Sequence, residues 1–454
     1  MSSAIQQNYF TFRNWCILLC PSLIGVYLFM VPVATEKGLT IPVALMANQL
    51  KVGLAEWMGL ILMLIIGVSA VMTVLVKTVA AKFFTEGSFL QKLFAPSWSW
   101  VVVRVIGAVC AAIVFFGIGI EQINSGATGK LVYSELLPVL LCVFVFAGML
   151  LPLLLNFGLL EFVGTLMTKI MRPIFRLPGR SAVDCLASWI GDGSVGILLT
   201  SKQYEGGFYT AREAAVIGTT FSAVSITFCI VVLGQVKLEH MFVPFYMTIC
   251  AAGLVAAIVL PYLPPLRNKP DTYIDGYDHM RAEGGDFHNL GLFKRAIAHG
   301  LHRASLAPSA RQTLKDGVHN TLDMLFGVLP VIMAVGTSAL LVAEYTPIFT
   351  WLGAPFVPLF ELLQIPYAED AAKSVMVGFA DMFVPSILIA TVPNEMTRFV
   401  IAALSVTQLI YMSEVGALLL GSKIPVTLLD LFVLFVLRTL ITLPVIALMA
   451  HWLF

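Results

Sequence analysis

The feature that most constrains this chain is a series of apolar runs about 20 residues long, the length that carries a helix across the roughly 30 Å hydrocarbon core of a bilayer. Nine such runs are found, at 15–33, 57–79, 101–120, 137–160, 214–236, 241–262, 322–343, 399–420 and 425–453. Outer-membrane barrels alternate in apolarity over segments of about 10 residues. The expected fold is therefore an all-α polytopic membrane protein with about nine transmembrane helices. Composition agrees, since 59% of the 454 residues are hydrophobic and 12% charged, against about 25% charge in a soluble domain. The first run follows Arg13 as a secretory signal would, but its length and the lack of a small-x-small cleavage site make it an uncleaved first helix. The seven cysteines, Cys16, Cys20, Cys110, Cys142, Cys185, Cys229 and Cys250, lie almost wholly in apolar runs and suggest neither a disulfide framework nor a zinc site. No basic cluster carries the interleaved aromatics of a nucleic-acid surface, so nucleic acid is not an expected partner.

Two further apolar stretches, 182–201 and 371–392, are interrupted near their middles by Gly191-Asp192-Gly193-Ser194 and by Ala380-Asp381-Met382-Phe383-Val384-Pro385-Ser386. A charged residue beside Gly or Pro at membrane depth is tolerated where broken backbone lines a protein cavity, not where it faces lipid. Re-entrant hairpins fit better than spans. Charge placement supports this independently. With the N-terminus inside and two hairpins that do not cross, the inside segments hold 19 of the 27 Lys and Arg. Outside lie Lys37, Lys51, Lys130, Lys237, Lys373 and Arg398, and Arg104 and Arg438 fall within spans. This bias obeys the positive-inside rule and puts the C-terminus outside.

The chain also repeats itself. Residues 137–262 read span, amphipathic segment, hairpin, span, span, and residues 322–453 repeat that order. A slide of 189 positions places Ala182 on Ala371 and Asp192 on Asp381, and a gap of three residues then places Arg212 on Arg398. Each unit has an odd number of spans, so the second must be inverted, the signature of secondary transporters with a site at the repeat interface. The expected divisions are an N-terminal three-helix scaffold (1–136), a first repeat (137–265), a cytoplasmic loop (266–320) and a second, inverted repeat (321–454).

From residue 137 to 454 the order of elements resembles the concentrative nucleoside transporters and the wider family of nucleoside-recognition Gate domains. Within that family it looks like the YjiH-type bacterial inner-membrane proteins. Gly191-Asp192-Gly193 and Ala223-Val224-Ser225-Ile226 carry the short-motif likeness. The resemblance implies that two hairpin tips and two unwound helices following them enclose substrate, that sodium sits between the first hairpin and the Ser225-Ile226 step, and that the protein is a homo-oligomer, a trimer built on spans four and seven. The Gln-Thr-Glu cluster of nucleoside transporters is absent from Gly191 to Ser194.

Few residues are left to carry chemistry in the membrane. Asp192, Asp381 and Glu414 are carboxylates at bilayer depth, where each costs about 2.5 to 3.5 kcal/mol on insertion scales. A proton, a sodium ion, a substrate ammonium or a partner such as Arg438 would neutralise them. Asp192 and Asp381 would equally serve as turn or N-cap residues. Ser222, Ser225 and Thr227 in the fifth span, and Ser405, Thr407 and Ser413 in the eighth, offer neutral oxygens that suit sodium where a helix unwinds, or that bond back to their own backbone. Gln408 needs several partners and suits a polar substrate. The expected substrate site is Asp192, Ser194, Asp381, Ser386, Gln408, Tyr411, Ser413 and Glu414. The expected ion site is Gly191, Asp192, Ser222, Ser225, Ile226 and Thr227, with sodium as its metal and no transition metal.

The remaining features are read structurally. Segments 163–178 and 347–363 are interfacial helices, Arg438 makes a structural ion pair with Glu414 or Asp430, and the 266–320 loop, with His279, His288, His299 and His302 and a basic helix-like stretch from Leu290 to Arg303, rests solvated on anionic lipid. Gly416 to Lys423 lacks the Lys of a Walker A loop after Gly421, which leaves ion gradients as the energy source. The expected function is symport driven by sodium, with protons second, of a small polar, ammonium-bearing metabolite such as an amino acid or short peptide. No cofactor is expected beyond the transported Na+ or H+. A nucleoside or nucleobase is the alternative substrate, and a non-transporting sensor or assembly subunit is the alternative of another class. An intramembrane aspartyl protease is disfavoured, because Trp189 stands where the first Gly of its Gly-x-Gly-Asp motif belongs. The chain is therefore expected to be a carrier and not an enzyme. Its expected setting is the bacterial inner membrane, in contact with membrane lipids.

Overall fold

The computed structural model describes residues 9–31, 33–35, 38–78, 89–188, 193–221, 226–276 and 290–454. Seven helical segments among them are long and apolar enough to cross a membrane, and the chain is a polytopic helical membrane protein. The only strands among the described residues are Val33–Thr35 and Gly38–Thr40, paired antiparallel.

The N-terminal layer consists of α1 (Phe12–Met30), α2 (Met58–Thr78) and α3 (Trp98–Phe116). Leu23, Leu64, Val71, Val102 and Val109 are exposed on it, as expected for a lipid-facing surface. At the centre is α4 (Leu137–Leu155), followed by α5 (Leu159–Phe175), α6 (Ser181–Leu186), α7 (Gly193–Glu205), α8 (Ala211–Thr220), α9 (Ile226–Gln235) and α10 (Phe242–Val259). After α11 (Leu292–Ser305) and α12 (Ala310–Asp323), the second central helix is α13 (Leu329–Tyr345). Short helices then lead to α14 (Ala368–Val377), α15 (Val384–Ile389), α16 (Glu395–Gln408), α17 (Val415–Gly421) and α18 (Leu428–Leu453).

Both central helices begin in the same way. A π turn, Val132–Leu136 or Met324–Val328, precedes a Leu-Pro step at Leu137-Pro138 or Leu329-Pro330. Proline has no N–H and its ring crowds the carbonyl four residues back, so the helix widens there by one turn. The carbonyl four before Pro330 belongs to Phe326, and Ser69 Oγ of α2 donates to it at 2.5 Å. α3 approaches the same turn closely, since a Cβ at Gly107 would lie 2.1 Å from the Pro330 oxygen.

The predicted run 399–420 is not a single helix, and in the run 214–236 the described residues form two helices, with 222–225 outside the described residues. α8 ends at Thr220, and the next described helix begins at Ile226. α16 ends at Gln408 because Leu409 turns left-handed, with φ +59°, and α17 resumes at Val415. The 371–392 stretch forms two short helices, α14 and α15, joined by a turn at 378–383. α7 packs on α17, and α15 packs on α9. The second arm of each pair of short helices therefore rests on the second half of the other unit's interrupted helix.

Within the expected 266–320 loop, Leu292–Ser305 is helical, close to the basic helix-like stretch read at Leu290 to Arg303, and a second helix, Ala310–Asp323, leads into the next span. α11 seats against α5 and α1, burying Ala296, Gly300, Leu301 and Ala304. Small residues four apart permit this, for a Cβ at Gly158 would meet the Gly300 carbonyl oxygen at 2.3 Å. α12 continues through the π turn into α13 as one apolar helical segment, Ala310–Tyr345.

Candidate functional site

The turn between α14 and α15 is built by Asp381. Its Oδ1 accepts the backbone N–H of Phe383 at 2.8 Å and of Val384 at 3.3 Å, occupying donors that α15 leaves free at its start. The turn is then joined to the interrupted stretch between α16 and α17. Met412 N–H donates to the Phe379 carbonyl at 2.8 Å and Ser413 N–H to the Ala380 carbonyl at 2.9 Å. Ser413 Oγ donates to Asp381 Oδ2 at 2.7 Å. Unwinding at Leu409 freed those amides, and the turn supplies their acceptors.

Glu414 is half-buried and accepts from the Tyr411 hydroxyl at 3.2 Å. Gln408 is buried, and its amide donates to Thr439 Oγ1 of α18 at 2.8 Å and to the Val375 carbonyl of α14 at 3.3 Å. Its Oε1 has no hydrogen-bond partner among the described residues. Gly378 makes room for it, since a Cβ there would lie 2.4 Å from that oxygen. Ser386 is buried and bonds back to the Phe383 carbonyl at 2.6 Å. Asp381, Ser413, Tyr411 and Glu414 thus form one group, with Gln408 beside it at the end of α16, bonded across to α14, and Ser386 turned to its own helix.

Arg438 departs from expectation. It is buried in α18, and its guanidinium donates to the Thr407 carbonyl at the end of α16 and to the Thr219 and Thr220 carbonyls at the end of α8, the last two at 3.4 and 3.2 Å. Its partners are carbonyls and not the carboxylates Glu414 or Asp430, and Lys269 takes Asp430 at 2.6 Å. The physical reason is that each interrupted helix ends in unpaired carbonyls and the negative pole of its dipole. One fixed cation between the two ends satisfies both. Thr219, Thr220, Ser405 and Thr407 turn their hydroxyls back to carbonyls of their own helices, at 2.7, 2.5, 2.9 and 2.9 Å.

In the first unit Ser194 is buried at the start of α7. Gly191, Asp192, Ser222 and Ser225 lie outside the described residues, as do the side chains of Ile226 and Thr227. Sequence reasoning missed a second polar cluster here. Asp184 of α6 is fully buried, and its Oδ2 accepts from Thr200 Oγ1 of α7 at 3.0 Å and from the Tyr209 hydroxyl at 2.9 Å. Arg180 is also buried, 3.4 Å from Glu161 Oε1 and 3.9 Å above the Phe208 ring. The only signal in the sequence was a lone carboxylate near the start of the apolar stretch 182–201.

Comparison with known proteins bears on residues 137–239, which match the family model described as Gate, nucleoside recognition. The chain is also 47% identical over 444 residues to an uncharacterized protein of Alkalihalophilus pseudofirmus, covering 97% of this chain and 95% of that one.

Proposed function

Because the chain belongs to the Gate family of membrane proteins, we propose that it is a cation-coupled secondary symporter working by alternating access, a carrier and not an enzyme. The observation that carries this reading is the reciprocal seating of α7 on α17 and α15 on α9, with Arg438 joining the ends of both interrupted helices. Paired hairpins and interrupted helices around a shared centre are the parts from which a site can be exposed to one side at a time. On this reading α6–α7 and α14–α15 are re-entrant hairpins, nine segments cross the membrane, and the unit from 321 is an inverted copy of the unit from 137. The three N-terminal helices are scaffold. The N-terminus lies in the cytoplasm and the C-terminus outside a bacterial inner membrane, and a homotrimer is the working assembly.

The substrate would lie between the 378–383 turn, the 409–414 stretch and the start of α7. Asp381 and Glu414 there favour a small polar metabolite carrying an ammonium, such as an amino acid or short peptide. A nucleoside or nucleobase is the second reading, favoured by the description of the matching family model. The coupling cation would be sodium or a proton, with no other cofactor. Uptake of a radiolabelled panel of amino acids, peptides, amines and nucleosides into proteoliposomes, with and without a sodium or pH gradient, tests both points. Gradient-driven accumulation of one class supports the reading, and no accumulation under any gradient contradicts it.

A further inference from the structure

The Asp184 cluster does not belong to the site between the two units, yet it holds the most thoroughly enclosed carboxylate in the described structure. Asp184 shows no exposed surface. Two hydroxyls, from Thr200 and Tyr209, converge on Oδ2, whereas Oδ1 is buried with no hydrogen-bond partner among the described residues. A carboxylate sealed from water with one bare oxygen is costly unless a positive charge or a proton reaches it.

Among the described residues, the charged and titratable groups around it are Arg180 and Cys185 on its own segment, Tyr209, Glu161 of α5 beyond Arg180, and Arg303 of α11, which reaches the Phe208 ring at 5.9 Å. Arg180 is the near cation, but its closest carboxylate oxygen is that of Glu161, and it makes no hydrogen bond to Asp184. The cluster of Asp184, Glu161 and Arg180 therefore has room in its charge balance for one more positive charge. There is little room in space. One turn along, Ser188 and Gly196 bring α6 and α7 so close that a Cβ at Gly196 would lie 1.6 Å from Ser188 Oγ. Sodium needs several oxygens around it, and a proton needs only the one that Oδ1 offers.

We infer that Asp184 is a proton-binding site on the first hairpin and that its carboxyl carries the proton coupled to transport. A proton from water on one side adds to Oδ1, forming the neutral acid, and leaves from the same oxygen to water on the other side. No bond in the solute changes. The inference rests on the symport reading above and deepens it by naming the ion. It has its own readout, independent of any solute.

The test uses the full-length protein in proteoliposomes. Infrared titration should reveal a carboxylic-acid carbonyl stretch that is lost in Asp184→Asn, whose amide can still accept the two hydroxyls. In Tyr209→Phe, which removes a donor to the ionised form, the midpoint of that band should move to higher pH. Asp184→Asn should also lose accumulation driven by a pH gradient while keeping solute-for-solute exchange. A band unchanged in Asp184→Asn, an unmoved midpoint in Tyr209→Phe, or pH-driven accumulation at the wild-type level in Asp184→Asn would overturn the proposal. If no solute is transported by the wild type, the symport reading fails while the infrared result still decides whether Asp184 binds the proton.

Discussion

Of the two pairs of short helices, α6 and α7 place a carboxylate on the first helix, Asp184, with no exposed surface and one oxygen without a hydrogen bond among the described residues. The pair α14 and α15 places its carboxylate at the turn. Asp381 is half-buried, and both of its oxygens are occupied by Ser413, Phe383 and Val384. The slide of 189 positions pairs Asp184 with Lys373, which is exposed on α14. Similar short helices thus carry different electrostatics. The α14–α15 pair uses its carboxylate to hold an interrupted helix, and α6 keeps a carboxylate that its described surroundings leave incompletely met. On the proposed reading, this asymmetry gives the two pairs different tasks.

Substitutions can break or sharpen that contrast. The largest effect is expected where the units meet, since Arg438→Met would leave three buried carbonyls without their donor. A loss of about 3 kcal/mol or more is expected, read as a fall in thermal unfolding temperature in detergent. Full stability in Arg438→Met would show that the interrupted helices do not depend on a shared cation. Next comes Gly378→Ala, which acts at the turn between α14 and α15 alone. Its Cβ would press on Gln408 Oε1, and overpacking of this kind costs about 1 to 3 kcal/mol. Ser413→Ala removes one hydrogen bond to Asp381 and should cost about 1 kcal/mol, whereas Asp381→Asn keeps a capping oxygen and should cost less than Asp381→Ala in the same melts. The smallest effect is expected for Thr219→Val, whose hydroxyl only bonds back to Ala215. A change within about 0.5 kcal/mol and an unaltered sodium response would separate that hydroxyl from any ion site.

The long spans were legible because length and hydropathy alone decide whether a segment can cross a bilayer. The turn at 378–383 was legible too, because Asp381 and Pro385 interrupt an apolar stretch. The end of α16 was not. Leu409-Ile410 is as apolar as a continuous helix, and only the resemblance led to an expectation of unwinding there. Arg438 was misjudged because sequence displays carboxylates and hides carbonyls, so the ends of α8 and α16 could not be seen as its partners. Asp184 left little mark because it lies near the start of the 182–201 stretch, away from the polar break at its centre. The close approach of Gly378 to Gln408 is a matter of tertiary packing and leaves no mark in local pattern.

Alternating exposure of the site between the units is the claim on which the rest depends. It is tested most directly by placing Ser413→Cys in a chain whose native cysteines have been replaced, and labelling it in oriented vesicles with a membrane-impermeant thiol reagent added to one side at a time. The account predicts reactivity from both sides, with a balance that shifts from one side to the other when a cation gradient or a transported solute is applied. Reactivity confined to one side under every condition, or a balance that never shifts, would contradict it.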